Sequence, residues 1–129
     1  MDILYIDDDT NDVLLLERSL KREGISCQIY NARSLQEAKD YLAGEGKFVD
    51  RTLPNVVLTD LAFRGGSGLD FLRWLQSHPE LARIPVFCVT GSEDPEKREE
   101  ARKFGAPCFT KTSSFSEVVD HLRSLMVRS

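Results

Sequence analysis

Five short apolar runs alternate with five helical stretches along this chain, and that alternation restricts the fold more than any other property of the sequence. The runs are residues 3–6 (ILYI), 25–31 (ISCQIYN), 55–60 (NVVLTD), 86–90 (VFCVT) and 107–110 (PCFT). The fourth is apolar at nearly every position, the pattern of a strand buried on both faces. Such strands require a helical layer on each side. The order therefore predicts an α/β fold, a doubly wound five-stranded parallel sheet with five helices. Crossovers between parallel strands are right-handed, which prunes the topologies, and the commonest five-stranded solution has spatial order 2-1-3-4-5.

The helices carry their own signals. Residues 10–24 begin with Thr10, Asn11 and Asp12 as capping candidates; Val13, Leu16 and Leu20 share one face, and Gly24 can end the helix. Ser34 with Glu37 forms a capping box for a helix through Leu42. Residues 44–54 make a connection longer than usual. A glycine-rich turn, RGGSG, precedes a helix whose apolar stripe is Leu69, Phe71, Leu72, Trp74 and Leu75. Pro95 suits the first position of the next helix. Between Glu96 and Lys103 that helix has only Ala101 as an apolar residue, so it should be held weakly, mostly through Ala101 and Phe104. Ser114 with Glu117 makes a second capping box, and Val118, Leu122, Leu125 and Met126 supply the buried face of the last helix.

Composition narrows the function classes. A chain of 129 residues, 41% apolar and 29% charged, is expected to form one domain over residues 1–129, with no effector domain and no need of disulfides. The net charge of -4 without a basic run gives no nucleic-acid footprint. No apolar run approaches the ~18 residues of a membrane span, and the start of the chain lacks the basic region of a signal peptide. A cytoplasmic protein is expected. Cys27, Cys88 and Cys108 lack metal-binding spacing and read as small buried hydrophobes in a reducing compartment. His78 and His121 stand alone and read as surface residues.

Four of the predicted strands end in polar residues: Asp7 and Asp8, Asp60, Thr90 and Lys111. In an open parallel sheet the ligand site lies beyond the carboxyl ends, where the winding reverses. Order 2-1-3-4-5 puts that reversal between the first and third strands, so Asp7, Asp8 and Asp60 would meet. Ionised together, they need a counter-charge. Mg2+ suits this donor set, because it takes few carboxylates, keeps waters and works beside phosphate. Lys111 adds a positive charge and Thr90 a hydroxyl. Such a site suits phosphoryl transfer to a carboxylate. Taken alone, Asp7, Asp8 and Asp9 could equally be acids at a helix start.

The segments DILYIDDD, PNVVLTDLAFRGGSGLDFLRWL, IPVFCVTGS and GAPCFTKT resemble the receiver domain of two-component response regulators, over nearly the whole chain. The resemblance implies a flavodoxin-like fold and a phosphorelay switch rather than a metabolic enzyme. It implies Asp60 as phosphoacceptor, Asp8 and Asp60 as direct Mg2+ ligands, Asp7 as the outer acid and the Ala62 carbonyl as a further ligand. Thr90 and Lys111 would contact the phosphoryl group. The partners implied are a sensor histidine kinase or phosphotransfer protein and an unidentified downstream protein, with no nucleic acid and no membrane. The readout face would be built from helix four, strand five and helix five. The long loop and the lack of an effector domain resemble small stand-alone regulators, including those paired with phytochrome-type kinases.

Several positions depart from the family pattern. Arg64 stands where proline is usual, Ser67 where aspartate is common, and Thr112 where a cis proline normally follows the lysine. Three residues before Lys111, where a switch aromatic is usual, stands Cys108, with Phe109 one later. These departures leave a second reading, a receiver-like interaction module that is never phosphorylated. A phosphatase with a nucleophile after the first strand fits less well, because Asn11 occupies the last position of its motif. Flavin mononucleotide is disfavoured by the acidic loop after strand one, where a phosphate cradle needs donors.

Overall fold

All five residues of Val56–Asp60 are buried, as expected of a central strand with helices on both sides. A computed structural model describes residues 1–60, 68–90, 95–103, 105–110 and 115–128. The chain runs β1 (Asp2–Ile6), α1 (Thr10–Arg22), β2 (Gln28–Ala32), α2 (Leu35–Ala43), a 3-10 turn (Gly46–Phe48), β3 (Val56–Asp60), α3 (Gly68–Gln76), β4 (Val86–Thr90), α4 (Pro95–Lys103), β5 (Cys108–Thr110) and α5 (Ser116–Arg128). The strands pair in the order β2-β1-β3-β4-β5, every pair parallel. The expected sheet order and strand-helix alternation are both present.

Strand alternation splits the core in two. Ile3, Tyr5, Val56, Leu58, Phe87 and Val89 face one way, onto Val13, Leu16 and Leu20 of α1 and Val118 and Leu122 of α5. Leu4, Ile6, Val57 and Cys88 face the other, onto α2 and α3 and onto Ala101 of α4. Ala101 makes the contact expected of it, and among the described side chains of α4, Pro95, Glu96, Glu99, Arg102 and Lys103 are exposed. Phe104 lies outside the described residues, as does Ser114 of the second capping box. Of the cysteines, Cys88 is buried as expected, but Cys27 and Cys108 are only half-buried.

The second strand starts later than its apolar pattern suggests. Residues 25–27 end α1 instead of pairing: the Gly24 N–H donates to the Lys21 carbonyl and the Ile25 N–H to the Leu20 carbonyl. This closure requires the left-handed φ of 71° at Gly24. Ile25 is buried by it, which is why the segment is apolar without being strand. The same hydrogen-bond pattern ends α4 through Gly105.

Asp9, not Thr10, Asn11 or Asp12, caps α1, its side chain accepting from the Asn11 N–H at 2.9 Å. Ser34 caps α2 as expected, accepting from the Glu37 N–H at 3.0 Å. Glu37 does not return to the Ser34 N–H. Its carboxylate accepts from the Arg33 N–H and, at 2.8 Å, from the Tyr30 hydroxyl. The long connection after α2 folds back on it: Phe48 packs edge-on to Tyr30 and Tyr41, and Arg51 donates to the Tyr41 and Leu42 carbonyls at 3.0 and 2.7 Å. These bonds satisfy carbonyls left open at the helix end.

Burial, and next the bond to Glu37, pushes the Tyr30 phenol up to about 12. Its folded value thus lies above the ordinary ~10. The stability held by the neutral phenol is complete below about pH 10 and is lost as the pH climbs through about 12. A tyrosinate absorbance step near that pH is expected in the native protein, and Tyr30→Phe should remove one tyrosine's share of it. An unchanged amplitude in the variant would refute the assignment.

Candidate functional site

The sheet winds outward from β1 and β3 in opposite directions, so the crevice at their carboxyl ends is the switch point of the fold. Ile6 pairs with Thr59, and Asp7 and Asp60 follow at the same level of the two strands. Both are buried, with 1% and 8% of their surface exposed. Asp8 is exposed and lines an open cleft of about 760 Å³ with Asp9, Thr10, Asn11 and Arg33. The structure thus brings the three predicted acids to one end of the sheet, two inside and one at the mouth.

Local bonding fixes this end of β1. The Asp7 N–H donates to the Ala32 carbonyl at 3.0 Å, and an Asp7 carboxylate oxygen accepts from the Asp9 N–H at 2.9 Å. The Asn31 amide clamps β1 to β2, donating to the Tyr5 and Asp7 carbonyls at 3.1 and 3.0 Å. Thr59 points its hydroxyl onto the Asp60 carbonyl at 3.1 Å. Asp9 does the capping of α1, so the helix-start reading accounts for one of the three successive acids and leaves Asp7 and Asp8 to the crevice.

Buried carboxylates at one level repel, and the arrangement is favourable only with positive charge beside it. Among the described residues no three His, Cys, Asp or Glu side chains converge closely enough to hold a metal ion by themselves. A cation here would draw on backbone oxygen or water as well. That is how Mg2+ coordinates, with few carboxylates and several retained waters, so the all-oxygen donor set fits it.

Residues 3–123 match the family model described as response regulator receiver domain. The chain belongs to that family. It is 26% identical over 117 residues to response regulator Rcp1 of Synechocystis sp., covering 90% of this chain and 80% of Rcp1. It is 27% identical to the phosphate regulon transcriptional regulatory protein PhoB of Escherichia coli, covering 90% of this chain but only 52% of PhoB. Among solved structures, the bacteriophytochrome response regulator RtBRR is 30% identical, with a TM-score of 0.81, over 96% of this chain and 76% of that one. The molecule is therefore a receiver domain of the two-component type, with the flavodoxin-like architecture of that family. Receivers act as signalling switches. No described helix is long and apolar enough to cross a membrane.

Within the receiver, Thr90 ends β4 beside β3, its backbone in register with Thr110. The Thr90 side chain, Ala62 and Lys111 lie outside the described residues, as do Arg64, Ser67 and Thr112. The two candidates near the usual switch position face opposite ways. Cys108 lies on the α4 side, in register with Cys88. A hydrogen bond between the two thiols, and then burial, pushes the Cys88 thiol up, which agrees with an inert core residue. Phe109 lies on the α5 side, its ring 4.5 Å from that of His121 and 5.8 Å from that of Phe87. His78 is exposed over Trp74, as expected of a surface residue.

The sequence reading missed Asn31, Arg33 and Tyr5. Asn31 carried a signal, an amide at the end of a strand next to the acidic one. Arg33 reads as one more surface charge until the fold puts it at the cleft. Tyr5 reads as one more core aromatic, since only the register shows that it lies beneath the two acids.

Proposed function

We propose that Asp60 is the phosphoacceptor of a two-component phosphorelay. A sensor histidine kinase or phosphotransfer protein presents phosphohistidine at the cleft. An Asp60 carboxylate oxygen attacks phosphorus, the P–N bond breaks, and the imidazole leaves with the electron pair. The product is an acyl phosphate on β3. Water later cleaves it, returning phosphate and the Asp60 carboxylate.

Bound at this site, Mg2+ would offset the negative charge of the acids and of the transferring group. Asp8 and Asp60 would hold it with the Ala62 carbonyl, and Asp7 would be the outer acid beside them. Asp60 stays aligned because β3 is buried on both faces and cannot shift without opening the core. Thr90 would donate its hydroxyl to a phosphoryl oxygen, and Lys111 would pair with another. Covalent change at Asp60 would alter the face of α4, β5 and α5, where an unidentified downstream protein reads it. The likeness to RtBRR supports a bacteriophytochrome-type kinase as donor.

The observation that carries this reading is the burial of Asp60 level with Asp7 at the switch point of a receiver fold. No observation favours the interaction module that is never phosphorylated. The test is metal removal. Acetyl phosphate with Mg2+ should add one phosphoryl group, detectable by intact mass, and a chelator should prevent it. An adduct formed equally well in the chelator would contradict the assignment of the three acids.

A further inference from the structure

Tyr5 is fully buried, and its hydroxyl makes no well-aligned hydrogen bond among the described residues. A buried phenol left so is unfavourable; phenylalanine would fill the space without that penalty. The side chain stands on the sheet face that carries Leu58, against α1 and α5. Tyr5 pairs in register with Leu58, two residues below the level of Asp7 and Asp60. Its hydroxyl approaches the Asp7 carboxylate, and the charges of Asp7, Asp12 and Asp60 all act on it. One Asp7 oxygen is already engaged by the Asp9 N–H.

We propose that Tyr5 is a positioning residue: its hydroxyl donates to the Asp7 carboxylate and holds the outer acid in the orientation the divalent cation needs. This rests on the phosphoacceptor reading above. The neutral phenol is well suited to the task. Donors of this kind fix carboxylate orientation and so tune cation affinity. Tyr5 would touch neither metal nor phosphoryl group.

The experiment is a double-mutant cycle on the full chain, with Mn2+ alone as probe, followed by the paramagnetic signal of the free ion. Urea unfolding serves as the control for folding. Tyr5→Phe should weaken Mn2+ binding about tenfold and leave the unfolding cooperative. In an Asp7→Asn background the same change should do nothing further. If Tyr5→Phe unfolds, Tyr5→Leu removes the same donor. Unchanged affinity, or the same loss in both backgrounds, would overturn the role of Tyr5 while leaving the phosphoacceptor reading intact. A wild-type chain that neither binds Mn2+ nor accepts a phosphoryl group would overturn both.

Discussion

Leu58→Ala lowers the unfolding free energy by about 2–5 kcal/mol. A domain of this kind has roughly 5–15 kcal/mol in total. Leu58 is 0% exposed, with Tyr5 on one neighbouring strand and Phe87 on the other in register with it. Truncation removes apolar contact and opens a cavity, and the buried strands on both sides leave little room to relax. The comparison is Leu14→Ala on α1, the same chemical change where the side chain is 49% exposed. It should cost no more than about 0.5 kcal/mol. Urea midpoints give both values, provided the slope is unchanged. Equal effects at the two positions would mean that β3 is not the rigid mount described. Because Leu58 lies two residues before Asp60, the variant also tests whether the mount matters. Its phosphorylation should fall under conditions where the protein is still mostly folded.

The architecture was legible because it rests on burial. Val86, Phe87, Cys88 and Val89 need cover on both sides of the sheet, and five strand-helix units leave few ways to provide it. Boundaries were less legible where an apolar residue serves a cap. Ile25 is buried through the turn that ends α1, so pairing begins at Gln28. The acids at strand ends were legible because a carboxylate there is costly without a task. Which acid caps the helix was not, since Asp9, Thr10, Asn11 and Asp12 are chemically near-equivalent and geometry selects Asp9. Asn31 and Tyr5 act through register, which fixes what each polar atom faces and leaves little trace in the identity of a residue. The side a β5 residue takes, Cys108 toward α4 and Phe109 toward α5, follows from the same register.

The central claim is that the carboxylate of Asp60 is the nucleophile. Asparagine keeps its shape and removes its negative charge. The change is nearly isosteric, so Asp60→Asn is expected to keep a cooperative urea transition. Loss of reactivity would then report chemistry and not unfolding. The decisive measurement is the intact mass of wild type and Asp60→Asn after incubation with acetyl phosphate and Mg2+. The wild type should gain a single base-labile phosphoryl group, and Asp60→Asn, folded by its urea transition, should gain none. An Asp60→Asn protein phosphorylated as fully as the wild type would contradict the account.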